Sequence, residues 1–190
     1  MPKTDSIFTE THRDSASRAR TGVIHLPHGD VQTPAFMPVG TNATVKAVTK
    51  EWLEEIGFEI ILANTYHLYL RPGTDIIEQA GGLHGFSGWK GNFLTDSGGY
   101  QVFSLADFRK ITREGVKFRS HIDGSSHFLT PESVVGLQAQ LNSDIQMQLD
   151  VCTGYDTEWK KAREALDITI DWTRRAKRAW LETKDEYQGK

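Results

Sequence analysis

Residues 93–104 read FLTDSGGYQVFS. An apolar run stops at Thr95-Asp96, two glycines follow, and an aromatic comes four residues after the aspartate. A carboxylate at the tip of a strand can accept hydrogen bonds from a ligand, take a proton, or attack carbon. Gly98 and Gly99 let main-chain N–H groups approach a ligand closely, because no Cβ intervenes. Tyr100 offers a flat face, and stacking of a nucleobase on such a face contributes ~1–3 kcal/mol. A second apolar run, DIQMQLD (144–150), also ends in a carboxylate, Asp150. Two carboxylates and one aromatic face suit a flat ligand rich in N–H donors. The Watson–Crick edge of guanine, with N1–H and N2–H₂, is such a donor array. The simpler reading of Asp-Ser-Gly-Gly is a turn whose Asp and Ser cap backbone N–H groups, and it stays open on the sequence alone.

Other residues are weaker candidates. NTYHL (64–68) follows an apolar run, so Asn64 and Tyr66 could line a site; a turn with Tyr66 and Leu68 packed inward fits equally. Cys152 stands two residues beyond Asp150 and could line the same site. HIDGSSH (121–127) has two histidines, but Asp123-Gly124 reads as a hairpin turn and the single cysteine is far away, so no metal ligands are assigned. Two basic groups could meet phosphate or simply be solvated. One is Lys160, Lys161, Arg163, Arg174, Arg175, Lys177 and Arg178; the other is Arg109, Lys110, Arg113, Lys117 and Arg119.

The elements that must position these groups alternate between strand and helix. Residues 1–18 are polar and are expected to be loose. The next stretch, 20–39, forms a hairpin turning at Gly29-Asp30. Thr49 starts a helix over KEWLEEI, with Trp52, Leu53 and Ile56 on one face and Gly57 as the stop. EIILAN (59–64), NFLTD (92–96) and DIQMQLD are short continuous apolar runs, as expected of strands buried on both faces of a parallel sheet. Pro72-Gly73 opens a short helix, VKFRSHIDGSSHFL forms an inserted hairpin, and Thr130-Pro131 starts a helix. Residues 157–182 place Trp159, Ala162, Leu166, Thr169, Trp172, Ala176 and Trp180 at helical spacing. This order predicts an α/β protein with parallel strands.

Hydrophobic residues make up 38% and charged residues 25% of 190, and the net charge is −3. That balance can bury a core and carries no chain-wide polyanion-binding signature. One cysteine allows no internal disulfide, which fits a reducing, cytoplasmic setting. No apolar stretch approaches ~18 residues, so no membrane span is expected.

TPAFMPVGTNATVK, NTYHLYLRPG, AGGLHGF, LTDSGGYQVFSL, ITREGVKFRSHIDGSSHFLTPE and SDIQMQLD occur in this order. Together they resemble the signature blocks of the bacterial tRNA-guanine transglycosylases (queuine tRNA-ribosyltransferases), from about Arg20 to about Trp180. The resemblance implies a (β/α)₈ TIM barrel that exchanges guanine at the anticodon wobble position of tRNA for the deazaguanine preQ1. It implies Asp96 as proton acceptor and purine contact, Ser97, Gly98, Gly99 and Tyr100 as the substrate-binding stretch, and Asp150 as a purine reader. It also implies double displacement through a covalent tRNA ester, which retains anomeric configuration.

Two departures stand out. After Asp150 the family commonly has Glu-Cys-Thr-Pro-Tyr-Pro, and here the residues are Val151-Cys152-Thr153-Gly154-Tyr155-Asp156. The family is also about twice this length, and a full barrel needs ~250 residues. The resemblance puts the nucleophilic Asp and a Cys/His zinc site in a half that is missing here, so no cofactor is expected in these 190 residues. The expectation is therefore roughly the first half of one barrel domain (1–190), with an N-terminal hairpin and an inserted hairpin. Alone it would be inactive, and a second copy or another chain would complete it. The alternatives are a non-catalytic purine-binding or accessory subunit, and an unrelated barrel whose Asp96 and Asp150 bind a metal.

Overall fold

The computed structural model describes residues 6–105 and 108–183. The ends of the expected 1–190 domain therefore lie outside the described residues. Among the described residues, nine strands and seven helices follow in order. They are β1 Phe8–Arg13, β2 Arg20–Leu26, β3 Gly29–Thr33, α1 Lys50–Ile56, β4 Ile60–Ala63, α2 Thr65–Leu70, α3 Thr74–Gln79, α4 Gly82–Ser87, β5 Asn92–Thr95, α5 Gly99–Leu105, β6 Arg109–Ile111, β7 Val116–Arg119, β8 Ser126–Leu129, α6 Pro131–Leu141, β9 Ile145–Gln146 and α7 Trp159–Thr183.

The strands form three small sheets. β4, β5 and β9 are parallel in that order, and Val39 adds a parallel bridge to Leu62. Helices fill the β4–β5 crossover; α5, the β6–β7–β8 sheet and α6 fill the β5–β9 crossover. This is the mixed α/β pattern expected, with the sheet open and no closed barrel among the described residues.

One feature of the N-terminus corrects the sequence reading. Residues 8–13 are not loose but form β1, paired antiparallel with β2 from Phe8↔Ile24 to Arg13↔Arg20. FTETHR has no apolar alternation, so periodicity misses it. Backbone pairing holds it instead, with cross-strand side-chain contacts such as Thr9 Oγ1 to His25 Nε2 at 2.9 Å and Thr11 Oγ1 to Thr21 Oγ1 at 3.0 Å.

Helix starts and stops follow their local signals. Thr49 caps α1 through its side chain, and Gly57 ends it at φ 89°. Only Leu53 of the expected apolar face is buried; Trp52 and Ile56 are exposed. Thr130 and Ser133 form a capping box on α6, with Pro131 in its first turn. In α7 the buried stripe is Ala165, Trp172 and Ala176, while Trp159 and Leu166 face outward. Burial in α7 begins only at Ala165, so its first turns contribute no core side chain.

Two apolar clusters stabilise the fold. One surrounds β4 and β5 and includes Ile61, Phe93, Leu68, Ile77 and Trp89. The other joins the inserted sheet to α6 and α7 through Phe118, Leu129, Val134 and Trp172. The Trp172 indole also donates to Arg113 O at 2.8 Å.

The third parallel strand is shorter than its apolar run. β9 ends at Gln146, so Asp150 sits beyond the strand rather than at its tip. Gln138, 1% exposed, packs against this end. Its Nε2 donates to Met147 O at 2.8 Å, and its Oε1 accepts from Met147 N at 3.1 Å and from Thr95 Oγ1 at 2.7 Å. A side-chain amide thus binds both backbone groups of Met147, whose N–H also donates to Thr95 O at 3.1 Å. Thr95 Oγ1 also meets Ser143 Oγ at 2.6 Å, which locks β5 against the start of β9.

Phe93 is fully buried at the centre of this sheet. Phe93→Ala is expected to cost about 3–5 kcal/mol by transfer and cavity formation. Equilibrium denaturant unfolding followed by circular dichroism measures it.

Candidate functional site

The chain leaves β5 at Asp96, whose amide still pairs with Ala63 O at 3.2 Å. The Asp96 carboxylate is ringed by donors. Oδ1 accepts from Thr65 N at 2.9 Å and Gly98 N at 3.2 Å. Oδ2 accepts from Asn64 Nδ2 at 2.6 Å and Gln101 Nε2 at 2.9 Å. Thr65 Oγ1 donates to the Asp96 carbonyl at 2.5 Å. The bond to Gly98 N is the turn-capping contact that the simpler reading anticipated; the other three are not.

Gly98 lies at φ +79°, where an L side chain is strained. A Cβ there would also stand 3.3 Å from the Tyr66 Cβ. Gly99 then opens α5, and a Cβ on it would lie 2.7 Å from Asp150 Oδ1 and 2.8 Å from Asp150 O. The two glycines therefore allow the β5–α5 turn to lie against both Tyr66 and Asp150.

Ser97 links the two carboxylate regions. Its Oγ donates to Asp150 Oδ1 at 3.2 Å and accepts from Gly99 N at 3.2 Å. Asp150 Oδ2 accepts from Cys152 Sγ at 3.4 Å. Burial, then the Asp150 charge and its hydrogen bond, push the Cys152 thiol up to about 11. Asp150 and Cys152 share a narrow cleft with Gly99, Phe103, Arg109 and Trp172. Neither Asp96 nor Tyr100 lines that cleft.

The remaining expected residues divide. Asn64 is buried and directed at Asp96. Tyr100 is 63% exposed in the first turn of α5 and touches Phe103 ring to ring. Tyr66 does not line the site. It is fully buried, its hydroxyl meets His121 Nδ1 at 2.9 Å, and its ring packs on Phe118. Thr65 and Gln101 were not singled out in the sequence. Gln101 lies five residues past Asp96 in the same block, a spacing that α5 turns back on the carboxylate. Burial first, and then the neighbouring His121, hold the His67 imidazole below its ordinary value, although Asp96 opposes them.

Four of the twelve basic residues, Lys161, Arg163, Arg175 and Arg109, have partners within the protein. The Arg175 guanidinium grips Glu132 at 2.7 Å and donates to Arg113 O and Glu114 O. Arg109 lies over the Phe103 ring at 4.4 Å and donates to Phe103 O. Arg163 pairs with Asp167 and Lys161 with Glu158.

Fold and geometry define a class first. This is a mixed α/β protein in which Asp96 directly follows β5 and Asp150 comes four residues after β9, its parallel neighbour. The comparisons with known proteins then narrow the class. The sequence profile described as queuine tRNA-ribosyltransferase matches residues 14–189. A queuine tRNA-ribosyltransferase of Treponema denticola is 64% identical over 189 residues, covering 100% of this chain and 50% of that protein. Relatives bearing the same name come from Thermoanaerobacter pseudethanolicus and Borrelia hermsii. They are 56% and 53% identical, covering 92% and 96% of this chain and 46% and 49% of their own lengths. The chain belongs to the queuine tRNA-ribosyltransferase family, and it spans about half the length of these relatives.

Two outcomes test the local geometry. Gly99→Ala is expected to lower the melting temperature, because its Cβ would displace Asp150; calorimetry reads the change. Cys152 is expected to alkylate slowly at pH 8, where a thiol with a pKa of about 11 is roughly one-thousandth thiolate. Its rate should climb as pH rises toward 11, and Asp150→Asn should speed it at pH 8. Iodoacetamide labelling followed by mass spectrometry checks both.

Proposed function

We propose that this chain carries the purine-recognition part of a tRNA base-exchange site, at which wobble guanine leaves and a 7-deazaguanine such as preQ1 enters. The observation that supports the reading best is Ser97. Its hydroxyl donates to Asp150 Oδ1 while its chain neighbour Asp96 follows the end of β5, so one short turn connects two acceptor groups. Carboxylates are the acceptors that match the N1–H and N2–H₂ donors of guanine and preQ1. Asp150 reads that edge, and Tyr100, exposed four residues after Asp96, supplies a stacking face.

Asp96 is the proton acceptor in this reading. Its oxygens already accept four hydrogen bonds, so it works only after exchanging one of them for a ligand N–H. The side-chain donors Asn64 and Gln101 are the contacts that a rotating carboxylate would give up, whereas Thr65 N and Gly98 N are fixed in the backbone. In base exchange the incoming purine gives up a proton as it attacks C1′, and a freed Asp96 carboxylate takes it. The target base must leave the anticodon stack, which is easier in a loop than in a duplex.

A second reading, purine binding without exchange, is favoured by one observation. The parallel sheet is open, and β9 has a ladder partner only in β5 among the described residues. Whichever role applies, tRNA and guanine or preQ1 are the partners. Incubating the chain with labelled guanine and tRNA separates the two readings: label in tRNA supports exchange, and purine binding without incorporation supports the accessory role.

In exchange-competent protein, Asp96→Ala is expected to abolish incorporation of labelled guanine into tRNA. Wild-type incorporation would refute the role given to it. Asp150→Asn replaces an acceptor by a donor and should weaken purine binding by ~1–3 kcal/mol, read as a raised KM for the base. Tyr100→Ala should weaken base binding more than tRNA binding. Equal losses in both would point to a folding defect instead.

A further inference from the structure

At the opposite end of the parallel sheet, three elements bring two imidazoles and a carboxylate together. His28 comes from the β2–β3 turn, His84 from α4, and Asp144 immediately precedes β9. Their ligand-capable atoms all lie within 4.8 Å of one another. His28 Nδ1 stands 2.6 Å from Asp144 Oδ1, and His84 Nε2 stands 3.4 Å from Asp144 Oδ2. The Asp144 side chain is 1% exposed. Its ion-pair partners among the described residues are these two histidines, with no Lys or Arg. A buried carboxylate without a permanent cation is costly unless something balances its charge.

We propose that His28, His84 and Asp144 form a site for a divalent transition-metal ion of the zinc, nickel or cobalt class. The donor set supports that class, since imidazole with a carboxylate suits these ions and all-oxygen sets suit magnesium or calcium. Asp144 is oriented for the task. Phe93 N donates to Oδ2 at 2.7 Å, an outer contact of the kind that fixes a metal-binding carboxylate. Gly91 O, 3.0 Å from His84 Nε2, or a water supplies a fourth donor. Ligands of a tetrahedral ion with bonds near 2.0–2.1 Å stand about 3.3 Å apart. The His84–Asp144 pair already has that spacing, and the His28–Asp144 pair must open by less than about 1 Å.

One rearrangement is required. The two rings stack at 3.5 Å with 16° between their planes, so their in-plane lone pairs do not yet converge. One ring must turn. His28 has the room, being on a turn with 28% of its side chain exposed against 14% for His84. Metal binding needs the ligating nitrogen of each ring free of its proton, so the ion displaces the hydrogen bonds that those atoms now make. The ion would tie the N-terminal hairpin to the base of the parallel sheet, remote from Asp96 and Asp150. Its role is thus structural and does not depend on the purine reading.

The test uses the native chain with the metal alone. Zinc at 100 times its dissociation constant is expected to raise the melting temperature by roughly 5–10 °C for a chain of this size, and magnesium by nothing comparable. Cobalt should give the visible absorption of a four-coordinate ion without a thiolate charge-transfer band. His28→Ala and His84→Ala, confirmed folded by circular dichroism, should each weaken zinc binding by tenfold or more in calorimetric titration. The proposal is overturned if native protein shows neither a zinc shift nor a cobalt spectrum, if a thiolate band implicates Cys152, or if both folded variants bind zinc as the native chain does.

Discussion

The position of one carboxylate relative to the other depends on the register between two short parallel strands, and a buried amide helps hold that register. Gln138 reaches from α6 to the hydroxyl of Thr95 on β5 and to both backbone groups of Met147 just past β9. Asp96 is one residue beyond Thr95, and Asp150 three beyond Met147. A buried polar group of this sort is stabilising only when fully satisfied, and left unsatisfied it costs more than an apolar side chain. Here both ends of the amide find partners, and Ser143 completes the arrangement.

From that register the local chemistry follows. β5 ends where its next residue can collect donors from the N-terminus of α2 and from α5. The glycine pair lets the turn close onto Asp150. The same closeness holds Cys152 protonated, because its thiol shares a partly buried corner with the Asp150 charge. Recognition elements and core packing are therefore not separable in this region. Tyr66, one layer below Gly98, belongs to the core through Phe118 and His121.

Much of this was legible in the sequence for identifiable reasons. The cap at Thr130, the stop at Gly57 and the parallel strands over 60–63 and 92–95 all have short-range signatures. Asn64 donates to Asp96 and Ser97 to Asp150, each a contact between residues near the strand ends. What was not legible depends on distant partners. FTETHR forms a strand because β2 is beside it, not because of its own pattern. DIQMQLD forms a strand over Ile145 and Gln146 alone, with Met147 beyond it held by an amide from α6. Tyr66 faces inward because the inserted hairpin brings His121 over it. The outward turn of Trp159 and Leu166 likewise reflects where α7 has neighbours, which helical spacing alone does not encode.

The sheets also treat their margins differently. The antiparallel sheet of β1, β2 and β3 has β1 at one margin, whose hydrated, ion-bearing side chains discourage any further strand from adding there. The parallel one terminates in β9, two residues long, beside a groove floored by Met147, Ala176 and Trp180. Self-association at high concentration would accordingly begin along this second border, and colloidal behaviour would report on it.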